Sequence, residues 1–361
     1  MAKVLVPLAN GFEDIEAITI IDVLRRGVGP SLSLTVPILR LMGTPEGPLQ
    51  EAAAYMRINF ATTVCPMLYF LFNNAFRGMG DSLTALYCLI VSVVSNIFLD
   101  IYFVAFLGWG VAGSAWATAL AQALSVVFSI IMLYLKYPMM HLKMHDFRVD
   151  TSLIKRITGL AVPIAVQSGF NNLGNIVVQS CINGFGETVM AAYTVASRLG
   201  TLSLMPSENV GASLSVYTGQ NFGAEKHERI KEGVKASWQL NIILCILLGV
   251  ILIFGGRSMV GVFLENPGEE ITQVAYRYLI IAAVPSILNG IMCNYQQVLR
   301  GVGRATESVI GGFMQLGAKV GIALLGARVI MSLDVVWLAW PISFIAGSIY
   351  PYLIYRKYVR R

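Results

Sequence analysis

The sequence predicts an all-α polytopic membrane protein built from two pseudo-repeated helix bundles, the first incomplete at about 3.5 spans and the second with six, preceded by a short βα fragment. Three observations predict it. Of the 361 residues, 56% are hydrophobic and only 13% charged, about half the ~25% charge of an average soluble domain. Long apolar stretches follow one another from Pro30 to the C-terminus. The loops between them alternate between basic and base-poor, the pattern that holds Lys and Arg on the cytoplasmic side of a bilayer.

Residues 1–29 stand outside this pattern. Lys3–Leu8 reads as a strand, Ala9-Asn10-Gly11 as a turn, and about 13–26 as a helix. Glu13, Asp14 and Glu16 break any apolar core that a signal peptide would need. Residues 30–43 are apolar, but at 1.5 Å per residue they rise only about 21 Å, short of the roughly 30 Å hydrocarbon core. They are expected to form part of a span. Nine full spans follow, at about 52–76, 83–107, 111–135, 157–183, 188–217, 237–264, 272–299, 306–330 and 334–355. With this count every basic loop falls on one side: Arg77; Lys136, Lys143, Arg148, Lys155 and Arg156; Lys226, Arg229, Lys231 and Lys235; Arg300 and Arg304; and the tail from Arg356 to Arg361. Glu46, Glu51, Glu187, Glu265, Glu269 and Glu270 fall on the other. A cytoplasmic C-terminus follows. The net charge of +6 is explained by these loops, and with no accompanying motif nucleic acid is not an expected partner; the lipid bilayer is.

The chain also repeats itself. Leu41-Met42-Gly43-Thr44-Pro45, Tyr55 and Phe76-Arg77-Gly78-Met79-Gly80 are echoed by Phe263-Leu264-Glu265-Asn266-Pro267, Tyr278 and Leu299-Arg300-Gly301-Val302-Gly303, about 223 residues later. Two bundles related by an axis along the membrane normal are a common transporter plan. The expected division is 1–29 for the βα fragment, 30–137 for the incomplete first lobe, 138–156 for a basic linker and 157–361 for the second lobe.

Ionisable groups at membrane depth are costly and default to function or to pairing. Four stand out: Asp100, Arg198, Glu208 and Lys319. Asp100 lies deep in its span, one turn after Asn96. Glu208 follows Pro206, where the helix ladder loses a bond; it is expected to carry a proton or a cationic substrate, or else to pair with Arg198 or Lys319. Gln167, Asn171 and Asn175 are spaced by four and share one helical face, which is expected to line a cavity or to hydrogen-bond between helices. Asn289, Asn294, Tyr295 and Gln296 form a similar polar set. Tyr193, Tyr217 and Tyr295 could stack on cations, with packing the commoner role for single aromatics. No catalytic residue, metal site or cofactor is expected. His141, His145 and His227 fall in loops, and Cys65, Cys88, Cys181, Cys245 and Cys293 lie singly in apolar stretches as inert thiols.

Over about 30–361 these residues resemble the multidrug and toxic compound extrusion (MATE) transporters. The carriers are Phe76-Arg77-Gly78-Met79-Gly80-Asp81, Asn96 with Leu99-Asp100, Gly110-Val111-Ala112-Gly113-Ser114-Ala115, Arg198 with Pro206, Gly219-Gln220-Asn221-Phe222-Gly223-Ala224, and Arg300-Gly301-Val302-Gly303. The resemblance implies twelve helices in two lobes and no enzymatic activity. It implies export of small organic cations, often aromatic, from the cell across the inner (plasma) membrane. Export would exchange for H⁺ or Na⁺ by alternating access, in a monomer. The chain departs from the pattern at its start, where two helices and part of a third have no counterpart, and with them the proton-titrating Asp of some branches. Asn171 and Asn289 stand where other branches carry coupling carboxylates, and Asn cannot titrate. Residues 1–29 resemble the opening βα unit of the ThiJ/PfpI family, with Glu16 at its acidic position but no nucleophile elbow and no sheet to join. Two alternative expectations are a lipid-linked saccharide flippase of the same superfamily, which should line its cavity with cations, and a gene fusion whose shortened first lobe does not transport.

Overall fold

In the computed structural model the described residues are 36, 46–137, 151–263, 268–283 and 285–358, and no strand occurs among them. The expected strand Lys3–Leu8, the half-span 30–43 apart from Val36, and most of the linker lie outside the described residues. Eleven α-helices follow in order: α1 Glu46–Thr62, α2 Val64–Gly78, α3 Ser82–Asp100, α4 Gly110–Lys136, α5 Thr151–Asn183, α6 Glu187–Gly223, α7 His227–Phe263, α8 Glu269–Ala283, α9 Ser286–Gly301, α10 Ala305–Leu325 and α11 Leu333–Tyr358. Each of the nine expected spans corresponds to one helix or to one broken pair.

The breaks have local causes. Between α1 and α2 the hydroxyls of Thr62 and Thr63 turn back onto the carbonyls of Ile58 and Asn59, both at 2.7 Å, and Pro66 supplies no N–H to the ladder. Between α8 and α9 the chain bends by 44° next to Pro285. Both α3 and α10 run on into π-helical segments, Ile101–Phe106 and Gly326–Ile330.

Among the described residues, five helical segments (82–106, 110–136, 227–261, 305–330 and 333–357) are long and apolar enough to cross a bilayer, and the bent α8–α9 pair would be a sixth. α5 and α6 have ample length at 33 and 37 residues, but their amides, hydroxyls and glycines dilute the apolar signal. Several helices overrun the apolar stretches read from the sequence. α5 begins at Thr151, inside the expected linker, and α7 begins at His227 rather than near 237. Hydropathy marks the part of a helix that lipid covers; backbone hydrogen bonding continues into water, here with a 2.8 Å Lys231–Glu228 pair on the first turns of α7.

The internal repeat is structural. A shift of 223 residues (269 − 46) carries the first residues of α1, α3 and α4 (Glu46, Ser82, Gly110) onto those of α8, α10 and α11 (Glu269, Ala305, Leu333). The turn after α2 is copied as well. Gly80 and Gly303 have φ of 86° and 79°, a left-handed conformation that only glycine adopts without strain. Each turn is closed alike: Gly80 and Gly303 donate to the carbonyls of Arg77 and Arg300, and the next residues, Asp81 and Arg304, donate to those of Phe76 and Leu299.

The chain forms two compact units, Met1–Ala161 and Val162–Arg361. In the first, Phe76, Ala85, Cys88 and Leu133 are buried together, and the Ser125 hydroxyl of α4 donates to the Cys88 carbonyl of α3 at 2.7 Å. The second has a large cluster around Leu199, Leu279, Tyr278 and Trp337 and a smaller one around Ile230, Tyr295, Val298 and Tyr355. Large apolar side chains such as Phe98 and Phe254 point outward, as lipid contact requires.

Candidate functional site

In the first unit the site grows from the end of α3. Asp100 is its last residue, and a π-helical segment, Ile101–Phe106, follows it; π-helical turns inside α-helices are frequent at functional sites. Asp100 lines an open, apolar surface pocket of about 720 Å³ together with Tyr55, Val104, Gly110 and Ser114. Its Oδ1 is buried and accepts no hydrogen bond. Asn96, one turn earlier, does not bond to it. Its Nδ2 donates to Thr118 Oγ1 on α4 at 3.4 Å, and the Thr118 hydroxyl donates to the Ser114 carbonyl at 3.1 Å. A carboxylate with an unpartnered oxygen in an apolar pocket is placed to attract a cation.

The polar face of α5 is divided among different partners. Gln167 is buried and its Oε1 accepts from Arg300 Nη2 at 3.4 Å. Arg300 also donates from Nε to Ser308 Oγ at 3.1 Å. Gly312 on α10 leaves the room that Gln167 fills, since a Cβ there would overlap its amide. Asn171 is half-buried. Asn175 Oδ1 accepts from Lys319 Nζ at 2.7 Å. Lys319 is only 3% exposed, and its ammonium lies 4.5 Å from the ring centroid of Trp340 on α11.

The expected pairing of Lys319, or of Arg198, with Glu208 is therefore corrected. Arg198 and Glu208 are both exposed on α6, ten residues and about 15 Å apart along the helix, while Lys319 is turned into the packing between α5, α10 and α11. An amide oxygen and an aromatic face stand where a carboxylate was expected.

On α9, Asn289 and Asn294 are buried. Asn294 Oδ1 accepts from Ser237 Oγ at 2.8 Å and from Asn241 Nδ2 at 3.1 Å, both on α7. Asn289 Nδ2, Asn294 Nδ2 and Asn241 Oδ1 have no protein partner. Gln296 is also buried. Tyr295 sits in an aromatic cluster with Trp238, Tyr352 and Tyr355, ring centroids 6.0, 5.2 and 5.4 Å away, and Tyr193 packs edge-on against Tyr278. Sequence reasoning missed Ser237, Asn241 and Trp340. The first two were legible as a hydroxyl and an amide spaced by four at the start of an apolar span; Trp340 looks like any core aromatic. Among the described residues no group of three or more His, Cys, Asp or Glu is gathered to hold a metal, and the five cysteines are free.

The sequence matches a family model, MatE, over residues 31–102 and 163–324, a region that contains Asp100, the α5 stripe, Arg300 and Lys319. The chain belongs to the MatE family. MatE proteins are transporters, not enzymes, and the apolar helices make this one a multi-pass membrane protein. Among curated relatives, the Probable multidrug resistance protein YoeA of Bacillus subtilis is 30% identical over 335 residues, 90% of this chain and 71% of YoeA. The multidrug export protein MepA of Staphylococcus saprophyticus is 22% identical over 281 residues, 78% of this chain and 62% of MepA. The chain thus spans roughly two thirds of the length of these relatives. Among solved structures, a MOP superfamily transporter from Pyrococcus furiosus described as having a binding pocket of reversed polarity matches with a TM-score of 0.87 at 20% identity, covering 98% of this chain and 79% of that one. An outward-facing multidrug resistance MATE transporter matches with the same TM-score and identity, 98% and 78% covered. At this identity the likeness establishes the fold.

Proposed function

We propose that this MatE protein is a secondary active exporter of small organic compounds, organic cations first among them. It works by alternating access as a monomer and is coupled to H⁺ or Na⁺. The basic loops and the C-terminus face the cytoplasm from the plasma (inner) membrane. The observation that carries the reading is Asp100: an ionisable group at membrane depth whose Oδ1 lacks a partner and which lines an open, apolar pocket of about 720 Å³. The names of its relatives YoeA and MepA, multidrug resistance and multidrug export, support the substrate class.

A second reading is favoured by charge. The second unit holds Lys319 and Arg300 on amide oxygens, which suits an anionic substrate, as a lipid-linked saccharide would be. A relative 22% identical over 278 residues is named FAD transporter, from Shewanella oneidensis. The test is accumulation of ethidium against that of a fluorescent organic anion in cells stripped of their own efflux pumps. Expression should lower ethidium. Lowered anion with unchanged ethidium selects the second reading. No change in either, with the protein present in the membrane fraction, sinks both.

A further inference from the structure

We propose that Lys319 is the proton-exchanging group of the second unit, which gives the coupling ion of the exporter reading above, on which this inference partly rests, the identity H⁺. The argument starts from what surrounds the ammonium. Lys319 is 3% exposed. It has three N–H donors, of which Asn175 Oδ1 takes one at 2.7 Å and the Trp340 face receives the charge at 4.5 Å. No carboxylate comes within ion-pair distance of it among the described residues: Asp334 pairs with Arg277 and Glu307 with Arg304. The other ionisable groups on the helices around it are Lys155, Arg156 and Cys181 on α5, Cys293, Tyr295 and Arg300 on α9, and Tyr350, Tyr352, Tyr355, Arg356, Lys357 and Tyr358 on α11. Cys181 lies in the apolar cluster with Ala323, and Arg300 is bound at Ser308, eleven residues before Lys319 and about 16 Å away along α10. A carboxylate partner would favour the charged form and hold the proton on Lys319.

An amide does the opposite. Asn175 can present Oδ1 to an ammonium, or, after rotating its side-chain amide, Nδ2–H to the lone pair of a neutral amine. One partner therefore satisfies both protonation states. When Lys319 discharges, the Nζ–H bond breaks, the electron pair stays on nitrogen and the proton passes to water; recharging reverses each change. The exposed end of this pair is Asn175, which leads from the buried amine to the surface of the unit. The repeat isolates the feature. The same 223-residue shift places Lys319 on Asn96, and Asn96 bonds to Thr118, a pair that does not titrate. The two halves of the repeat thus differ at this position by one exchangeable charge.

Trp340 reports the charge directly, because removing a cation from an indole face changes its emission. The full chain, purified into lipid nanodiscs, is titrated while its helical circular dichroism stays constant, and the Trp340 signal is taken as the wild-type spectrum minus that of Trp340→Phe. A reversible pH transition that is lost in Lys319→Gln is expected. Asn175→Asp, which supplies the missing carboxylate, should shift that transition to higher pH. A flat Trp340 signal, or a transition that persists in Lys319→Gln, overturns the proposal. In proteoliposomes with an imposed pH gradient, Lys319→Arg (always charged) and Lys319→Gln (never charged) should both lose gradient-driven ethidium movement. A Lys319→Arg protein that keeps it overturns the coupling role. If the wild type moves no ethidium, the exporter reading fails, and the fluorescence transition alone decides whether Lys319 exchanges a proton.

Discussion

Asp81 and Tyr137 close one end of the first unit through a 2.8 Å hydrogen bond from the Tyr137 hydroxyl to Asp81 Oδ2. The same carboxylate caps α3, accepting from the Thr84 amide at 3.0 Å and the Thr84 hydroxyl at 2.6 Å, and receives Lys136 Nζ at 3.2 Å. Burial pushes the Asp81 carboxyl up, but the Thr84, Tyr137 and Lys136 hydrogen bonds outweigh it and hold the group well below the usual carboxylate range. Burial first, then Asp81, push the Tyr137 phenol up to about 12. The signs follow by linkage. A carboxyl depressed in the folded state stabilises fully above its unfolded value of about 3.9, and that contribution is lost as pH falls through the lower folded value. A raised phenol stabilises below about 10 and loses its contribution as pH rises toward the folded value. Asp81→Asn keeps an amide that can still cap but removes the charge, so its unfolding midpoint should lie below the wild type at neutral pH and converge on it in acid. Asp81→Ala also loses the cap, a further cost of about 1 kcal/mol. Thermal melts across acid pH check both; parallel curves for wild type and Asp81→Asn would remove Asp81 from the account.

Gly301 ends α9 against α6. A Cβ at this position would meet the Ser215 carbonyl oxygen at 2.5 Å and Thr218 Cβ at 2.9 Å. Backbone cannot step aside as a flexible side-chain end can, so Gly301→Ala should push α9 away from α6 at a cost of about 1–3 kcal/mol. Gly303→Ala tests the neighbouring turn by another route, through its φ of 79°. Detergent-unfolding midpoints should fall for both, and Gly301→Ser should be no better tolerated than Gly301→Ala.

Apolar run length, loop charge and the glycine turns made the spans, their order and the repeat readable, because each is a local property of the chain. Breaks and partners were harder. Thr62 and Thr63 interrupt a helix by bonding back to the backbone, which an apolarity count does not register. The four-residue spacing puts Gln167, Asn171 and Asn175 on one side of a helix, but periodicity does not name the neighbour. Asn175 finds Lys319 144 residues away, and Gln167 finds Arg300 133 residues away. The expectation that Lys319 would seek Glu208 followed charge alone; packing decided otherwise, turning Lys319 toward α5 and leaving Glu208 exposed.

Asn294 joins α9 to α7 by accepting from both Ser237 and Asn241. Interhelical side-chain hydrogen bonds of this kind average about 0.6 kcal/mol in a membrane. Two bonds to one oxygen, together with donors stranded when it is removed, put Asn294→Ala at roughly 1–2 kcal/mol. Ser237→Ala alone should cost less. In a double-mutant cycle the pair should be less destabilised than the sum of the single changes; strict additivity would mean that the contact carries no energy.

Asp100 is where structure and transport can be separated. Its Oδ1 holds no hydrogen bond, so replacing the carboxylate with an amide of the same shape removes a charge and breaks no bond to that atom. Asp100→Asn should therefore fold and melt like the wild type. Asn96→Ala, by contrast, loses the bond to Thr118 and should lower the melting midpoint modestly. If Asp100 serves transport, Asp100→Asn abolishes ion-driven efflux while Asn96→Ala retains part of it, and the two variants rank in opposite orders for stability and for transport. The paired measurement is a melting curve and an ethidium efflux rate, with imposed H⁺ and Na⁺ gradients, on the same preparations. Efflux of the Asp100→Asn protein at the wild-type rate under either gradient would leave this carboxylate without a transport role.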